Sequence, residues 1–346
     1  MTVKVKEKKK INKNDVLQFL LNNAVIILII LSAIYVGITS KNFLSLQNLK
    51  NLLSNLSYRV IIALGISGCL IMRNNDLSAG RQVGFASCIA GILLQKADFA
   101  NRLIKEGSIL YKYFSEPVNM WILMVALMVL FAVTFGLING LVVSKLHVPA
   151  FIGTYGMQTV IYGICLIVTN AEPIGGIIPE LTSMGSGFIL EFIPYIAIIM
   201  AVVIVIFYIL YNHTTYGKKM YAIGGNPAAA EVSGINTTRM TIASYMIAAA
   251  MFALAGFVLV AKVGGTTAGA GEGFELFAIA GCTIGGVSVS GGTGNVFGII
   301  LGVAVFEVLK IEMNFLGIAT AWTYILQGIV IVIAIALDIR KYIAKK

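Results

Sequence analysis

A cluster of polar side chains stands out where the chain is apolar on both sides. It lies in the stretch RNNDLSAGRQ at residues 73–82, directly after an apolar segment. Amide, carboxylate, hydroxyl and guanidinium groups together supply the hydrogen-bond donors and acceptors that bind hydroxyl-rich solutes. We interpret the cluster as a candidate solute pathway. Its members are Asn74, Asn75, Asp76, Ser78, Arg81 and Gln82.

The same cluster has a purely structural interpretation. Asp76 and Ser78 are suitable caps for the helix that follows, and Arg81 can neutralise Asp76. The sequence leaves both interpretations open, and they are compatible with each other.

A long polar interruption at residues 213–240 predicts a contact arm. Within it, Asn226 is a good N-cap, Pro227 suits the first helical position, and Gly234 suits the end of a helix. The predicted helix has barely two turns, so it is marginal alone in water. We therefore expect the arm to be presented to a soluble partner on the inner side of a membrane. The alternative is an ordinary loop with a capped turn.

Motifs for enzymatic chemistry are absent from the sequence. Gly217-Lys218 is followed by Lys219 rather than Ser or Thr, so there is no phosphate-binding loop. Neither His147 nor His213 lies at a metal-ligand spacing. We expect no catalytic residue, metal or cofactor on this chain, and we interpret the cysteines as packing residues. The cysteines are Cys69, Cys88, Cys165 and Cys282.

Composition assigns the chain to a membrane. Its 346 residues are 58% hydrophobic and 12% charged, with a mean hydropathy of +0.92. So few charges cannot cover a soluble globule. The net charge of +10 is concentrated at the two termini and the arm rather than on one face, which argues against nucleic acid as a partner.

Apolar stretches predict an all-α polytopic membrane protein with about ten transmembrane helices. Residues 41–57 place leucines on one face and predict a separate interfacial helix. Residues 58–72 are too few to cross the bilayer upright. The predicted spans lie near residues 16–38, 58–72, 83–94, 120–143, 152–168, 193–211, 241–260, 276–284, 296–309 and 322–337.

The distribution of charge predicts the topology. The loop at 170–192 carries acidic but no basic residues, as an outer loop does, whereas both termini and the arm are basic. Both termini are therefore expected in the cytoplasm. We divide the chain into a basic tail (1–15), one transmembrane domain (16–338) that contains the arm, and a second basic tail (339–346).

Glycine and polar residues interrupt two of the predicted helix pairs, at 58–96 and 274–310. Interrupted segments at corresponding places point to a transport pathway, because non-helical backbone inside a membrane must line a cavity or be buried in protein. G-x-x-x-G pairs predict close helix packing within the chain, with a dimer seam as the alternative. These pairs are Gly80/Gly84, Gly136/Gly140, Gly281/Gly285, Gly294/Gly298 and Gly298/Gly302.

Four stretches carry a family resemblance. They are IIALGISGCLIMRNNDLSAGRQVGF (61–85), YAIGGNPAAAEVSGIN (221–236), IAGCTIGGVSVSGGTGNVFG (279–298) and ALDIRKY (336–342). Together they resemble the membrane permeases of bacterial sugar ABC importers in the ribose/galactose group. DLSAGRQVG is most similar to the galactose/methyl-galactoside branch, and the resemblance runs from about residue 15 to the end. The sequence departs from the family at Asn74-Asn75, where relatives usually carry a glycine.

The resemblance implies a permease subunit in the bacterial cell membrane that moves a monosaccharide of galactose, glucose or methyl-galactoside type. Its partners would be a second permease copy, a cytoplasmic ATPase that binds ATP and magnesium, and an extracytoplasmic sugar-binding protein. The arm would be the coupling helix that contacts the ATPase, and movement of the arm would drive alternating access. The coupling residues are Gly224, Gly225, Asn226, Pro227, Ala229, Ala230, Glu231 and Gly234.

Two other functional classes remain open on the sequence. One is a self-contained, ion-coupled secondary carrier for a small polar solute, and the other is a membrane-embedded enzyme. Asp76 is the one acid in a central break, and Glu307 can pair with Lys310. A proton-coupled carrier usually needs buried ionisable relays, for which this chain offers few residues. The enzyme lacks a nucleophile with a base.

Overall fold

The computed structural model describes residues 24–105, 111 and 113–343, which are mostly helical. A short antiparallel hairpin, β1 (Phe188–Ile189) and β2 (Ile193–Pro194), is the exception to the predicted all-α fold. The helices are α1 (Ala24–Thr39), α2 (Leu46–Ile71), α3 (Ala79–Leu93), α4 (Met120–Ser144), α5 (Ala150–Thr169), α6 (Pro179–Ser186), α7 (Tyr195–Asn212), α8 (Thr215–Gly225), α9 (Pro227–Val232), α10 (Thr237–Val263), α11 (Phe274–Ile284), α12 (Val296–Phe315) and α13 (Thr320–Ile343).

Several of these helices can cross a membrane. Among the described residues, five helices are long and apolar enough, namely α2, α4, α5, α7 and α10. Shorter apolar segments lie at Ile26–Thr39, Phe274–Ile284 and Tyr324–Ala336. Each apolar stretch predicted from the sequence contains a helix, although the start of the first span and the tail at 1–15 lie outside the described residues. The number of crossings stays a prediction.

Helix α2 corrects one expectation. The sequence predicted a separate interfacial helix at 41–57 and a span at 58–72 that was too short. Instead, Leu46–Ile71 is one helix of 26 residues, or roughly 39 Å at 1.5 Å per residue. The side chain of Ser45 caps its start by accepting a hydrogen bond from the Asn48 N–H at 3.2 Å. The prediction was wrong because no glycine or proline separates the two stretches, so the leucine-rich turns continue the same helix.

Helices α2, α3 and α10 form the centre of the molecule and approach one another through glycines. A Cβ added at Gly65 of α2 would lie 2.8 Å from the Cβ of Met251 on α10. One added at Gly256 of α10 would lie 2.4 Å from the Val83 carbonyl oxygen on α3. Phe257 of α10 is fully buried at this centre. The remaining long helices surround the three and expose apolar side chains suited to lipid, among them Ile122, Val129, Ile167, Val202 and Val205.

The G-x-x-x-G pairs lie at contacts within the chain, as the packing interpretation expected. Gly140 of α4 meets α10, where an added Cβ would lie 2.7 Å from the Cα of Ile242. Gly285 faces Gly298, and a Cβ there would lie 2.1 Å from the Gly298 carbonyl oxygen. Helices α11 and α12 therefore touch through backbone atoms, and a larger residue at Gly285 would push them apart.

Backbone contacts sort the loops into two groups at opposite ends of the helices. At one end, Gln95 pairs with Ile177, which joins the loops that follow α3 and α5. At the other end, the Gly292 N–H donates a hydrogen bond of 2.9 Å to the Ile71 carbonyl oxygen, beside the arm. This grouping matches the predicted separation of the 170–192 loop from the arm. Which end faces the cytoplasm stays a prediction.

Candidate functional site

The break between α2 and α3 is held by a buried polar network centred on Ser78. Its hydroxyl donates a hydrogen bond of 2.6 Å to Asp76 Oδ1 and accepts one of 2.9 Å from Gln82 Nε2. Asn139 Nδ2 of α4 donates a second hydrogen bond of 2.9 Å to the same hydroxyl. Asp76, Ser78 and Gln82 are fully buried. The network therefore links the break to α3 and α4.

The structural interpretation of this cluster holds for Asp76, whose Oδ1 accepts a hydrogen bond of 2.9 Å from the Ser78 N–H at the start of α3. Its other two parts were wrong. Ser78 occupies the N-cap position of α3 but its side chain caps no backbone N–H, because its hydroxyl is bonded to Asp76. Arg81 does not form an ion pair with Asp76. Its Nη2 instead lies 3.3 Å from Glu272 Oε2, since α3 turns the guanidinium away from the break toward the residues that follow α10.

Side chains from other helices complete the break, and the sequence analysis did not identify them. Thr154 Oγ1 of α5 accepts a hydrogen bond from the Leu77 N–H at 3.0 Å. The Tyr245 hydroxyl of α10 donates a hydrogen bond to the Asn75 carbonyl oxygen at 3.2 Å. Asn74 and Asn75 are only partly buried. Because these partners come from distant positions in the chain, no local spacing pointed to them.

Two buried polar atoms of the network have no hydrogen-bond partner among the described residues. They are Asp76 Oδ2 and Gln82 Oε1. An acceptor left unpaired inside a protein costs free energy unless water or another group supplies a donor. The cluster thus retains two acceptors that a water molecule or a hydroxyl group can satisfy.

Within the arm, helix α9 has the predicted local structure. Asn226 is its N-cap, with Oδ1 accepting a hydrogen bond of 3.1 Å from the Ala229 N–H, and Pro227 is the first helical residue. Gly234 has a φ of +82°, a conformation that favours glycine just after a helix. Ala230 is buried, whereas Val232 is 91% exposed. The helix is therefore anchored on one side and presents the other to its surroundings.

Helix α8 in the same arm was not predicted. Thr214 caps it by accepting a hydrogen bond from the Gly217 N–H at 3.3 Å, and it ends at Gly225. Gly224 and Gly225, which the sequence grouped with the coupling helix, therefore belong to the end of α8. The Thr214 cap was the local signal that could have revealed it.

The end of α8 contacts both interrupted helix pairs. At the first break, Arg73 Nε donates a hydrogen bond of 2.8 Å to the Gly224 carbonyl oxygen, and Nη2 donates one of 2.7 Å to that of Gly225. At the second break, the Tyr221 hydroxyl donates a hydrogen bond of 2.9 Å to the Gly294 carbonyl oxygen. One short helix thus joins the arm to the α2–α3 and α11–α12 breaks.

Residues 48–335 match a family model described as "Branched-chain amino acid transport system / permease component". The chain belongs to this permease family. It is a multi-pass protein of the inner membrane, in agreement with its apolar helices. The match includes both breaks and the whole arm, so every candidate residue lies within the part of the chain that the family shares.

Named relatives of this permease family extend over nearly the whole chain. The galactose/methyl galactoside import permease protein MglC of Haemophilus influenzae is 39% identical and covers 97% of this chain and 99% of its own. The Escherichia coli protein of the same name is 38% identical with the same coverage. The ribose import permease protein RbsC of Bacillus subtilis is 33% identical over 89% of each chain. No solved structure matched.

Over the described residues of this permease, no group of three or more His, Cys, Asp or Glu side chains is placed to hold a metal ion. All four cysteines are free and buried. The candidate site therefore consists of hydrogen-bonding groups at a helix break and a helix pair that connects them to an exposed surface.

Proposed function

We propose that this chain is the permease subunit of an ATP-driven importer that moves a monosaccharide of galactose, glucose or methyl-galactoside type into a bacterial cell. The observation that carries the proposal is the near-complete coverage of this chain by relatives named as galactose/methyl galactoside import permeases. Ribose import permeases are similar over a slightly smaller share. We therefore assign the galactose type rather than ribose.

In this proposal the chain crosses the membrane about ten times, with both termini and the arm in the cytoplasm. Residues 16–338 form one transmembrane domain, and the basic tails at 1–15 and 339–346 lie on the inner side. Basic residues of the arm, such as Lys218 and Lys219, favour that orientation under the positive-inside tendency. The grouping of the loops into two ends supports the same arrangement.

Helix α9 would bind a cytoplasmic ATPase, which carries ATP and magnesium. The exposure of Val232 and Glu231 next to a buried Ala230 supports this role, because it leaves one side of α9 open to a partner. When ATP closes the ATPase, α9 and α8 would move together. Through Arg73 and Tyr221, α8 would then shift both breaks and switch the pathway between its outward and inward openings.

The polar cluster at residues 74–82 would serve the pathway in two ways. Asp76, Ser78 and Gln82 are buried in the network, so they would fix the shape of the break. Asn74, Asn75 and Arg81 are less buried and would be available to the solute. A second copy of this chain would form the other half of the pathway, and an extracytoplasmic sugar-binding protein would deliver the solute to it.

Reconstitution tests the proposal against a self-contained carrier. The chain alone and the chain with its ATPase and sugar-binding protein are placed in liposomes, and uptake of radiolabelled galactose is followed. We expect uptake only from the complete set and only with ATP and magnesium. Uptake by the chain alone under an ion gradient would overturn the importer and support the secondary carrier.

A further inference from the structure

The segment between α10 and α11, residues 264–273, returns along α3 without forming a helix. Thr266 Oγ1 lies 2.7 Å from Ser87 Oγ near the middle of α3. Five residues later in the chain, a Cβ added at Gly271 would lie 2.1 Å from the Gly80 carbonyl oxygen, near the start of α3. The segment therefore runs antiparallel to α3 and in close contact with it.

This segment reaches deep into the membrane. Helix α3 has 15 residues, and its last turn joins the 170–192 loop through a hydrogen bond of 2.9 Å from the Ile178 N–H to the Leu94 carbonyl oxygen. Gly80 lies at the opposite end of the helix, about 20 Å away at roughly 1.5 Å per residue. The hydrocarbon core of a bilayer is about 30 Å thick. The segment begins beside the same loop, because Thr266 pairs with Ile174 through two backbone hydrogen bonds. Its far end, with Gly271 and Glu272 beside Gly80, is therefore the part that lies far from the membrane surface on that side.

A charged residue stands exposed at this depth. The side chain of Glu272 is 74% exposed and is paired with Arg81, whose guanidinium also lies 4.1 Å from the ring centroid of Tyr162 on α5. Thr267 and Gly269 of the same segment are exposed as well. A carboxylate and non-helical backbone are both unfavourable against lipid, and at such a depth they line a water-filled cavity or are buried in protein.

Unpaired atoms beside the ion pair point to a polar occupant. Arg81 Nη1 and Glu275 Oε2 are buried and have no hydrogen-bond partner among the described residues. One is a donor and the other an acceptor, so water or a hydroxyl group can satisfy both. A purely lipid-facing surface would leave them unsatisfied.

We infer that the exposed face of residues 264–273, together with Arg81 and Glu272, is a wall of the water-filled pathway and contacts the solute. Glu272 accepts hydrogen bonds from hydroxyl groups of the passing sugar, and Arg81 donates to its oxygens. The identity of the solute as a sugar rests on the proposed function. It adds Glu272 and Thr267 to the pathway residues.

Cysteine accessibility tests the wall directly. Glu272→Cys is compared with Val129→Cys, which replaces a 58% exposed side chain on the apolar outer face of α4. Both are made in a chain whose four native cysteines are replaced by alanine. A charged, membrane-impermeant methanethiosulfonate is applied to both sides of membranes that contain the complete transporter. We expect Glu272→Cys to react at least about 10-fold faster, because only a hydrated thiol ionises to the reactive thiolate. Full labelling of both variants after denaturation confirms that the introduced thiols are present.

The labelling also separates this inference from the proposed function. We expect saturating galactose to slow the modification of Glu272→Cys. Equal labelling rates for the two variants, with ATP-driven galactose uptake by the unsubstituted chain intact, would overturn the wall and leave the importer standing. Fast labelling that galactose does not slow would overturn the contact with the sugar, while the water-filled face would stand. Loss of ATP-driven galactose uptake by the unsubstituted complete transporter is the separate result that would overturn the importer.

Discussion

Arg73 donates a hydrogen bond of 2.8 Å to the carbonyl oxygen of Gly224, across 151 positions of sequence. Arg73 belongs to the break after α2, and Gly224 to the last turn of α8 in the arm. A Cβ added at Gly224 would lie 1.9 Å from the Ile71 carbonyl oxygen, so only glycine permits this approach. The end of α8 and the break after α2 are therefore packed so closely that neither can shift without the other.

We predict that Arg73→Ala uncouples ATP hydrolysis from uptake. The substitution removes both hydrogen bonds to the end of α8, and a bond from a charged group contributes roughly 1.5–3 kcal/mol. We expect sugar moved per ATP hydrolysed to fall about 10-fold or more, while the ATPase stays bound. Arg73→Lys keeps the positive charge but lacks the paired donors of the guanidinium. The sugar that it moves per ATP hydrolysed should lie between the values for Arg73→Ala and for the unsubstituted chain. The measurement is uptake and phosphate release in the same proteoliposomes.

The control for Arg73 is Lys219→Ala, which removes a positive charge from an exposed position on α8. It should leave the ratio of uptake to hydrolysis unchanged. Normal coupling in Arg73→Ala would show that the contact only holds the resting structure.

We predict that Ser78→Ala destabilises the permease. The hydroxyl accepts hydrogen bonds from Gln82 and Asn139, both in the buried network, and its loss leaves two buried amides without that partner. Each unsatisfied group costs about 1–3 kcal/mol. Thermal unfolding in detergent should show a lower midpoint. Ser57→Ala is the matched control, because that buried hydroxyl bonds only within its own helix, to Leu53. Equal midpoints for the two variants would mean that water replaces the lost hydroxyl.

The local structure of the arm could be predicted because its determinants are adjacent in sequence. Asn226, Pro227 and Gly234 each act on a neighbouring backbone group, so their types alone indicate where α9 begins and ends. The glycine pairs were informative for a similar reason, since their spacing places both residues on one helical face. Their partner helices were not predictable.

The contacts of the polar cluster were harder to predict, because tertiary packing determines which side chains meet. Arg81 was expected to pair with Asp76, five positions away, but it pairs with Glu272. Lys310 was the candidate partner of Glu307 in the sequence, yet Glu307 Oε2 lies 3.0 Å from Arg59 Nε of α2. In both cases a residue on another segment lies closer than the sequence neighbour, and a single sequence contains no signal of that proximity.

We predict that the loop at 170–192 lies outside the cell and the arm inside. Glu172 and Ser233 are both exposed, so Glu172→Cys and Ser233→Cys should tolerate labelling without disturbing the fold. An impermeant maleimide should label Glu172→Cys in whole cells whose outer membrane has been permeabilised. Labelling of Ser233→Cys should require inside-out vesicles. Labelling of Glu172→Cys from the cytoplasm only would overturn the topology.

The last prediction concerns α9, the surface proposed to bind the ATPase. Ala229→Pro removes the N–H that Asn226 caps and disfavours the helical conformation of Ala228. The cost, up to about 3 kcal/mol, exceeds what a helix of so few residues can supply. The membrane-spanning helices pack against one another outside α9, so we expect the variant to insert normally into the membrane. We also expect it to lose the ATPase on purification and to lose uptake.

Two variants make the test of α9 specific. Ala228→Ser changes an exposed neighbour without removing a donor and should behave as wild type. Gly234→Val opposes the φ of +82° after the helix but meets no atom within 4 Å, so its effect comes from backbone strain of roughly 1–2 kcal/mol and should be milder. A graded loss of ATPase retention in the order Ala229→Pro, Gly234→Val, Ala228→Ser would follow the stability of α9. Full uptake by Ala229→Pro with the ATPase still bound would show that the arm only connects α7 to α10. An ATPase that binds α9 would lose its contacts when this helix is disrupted.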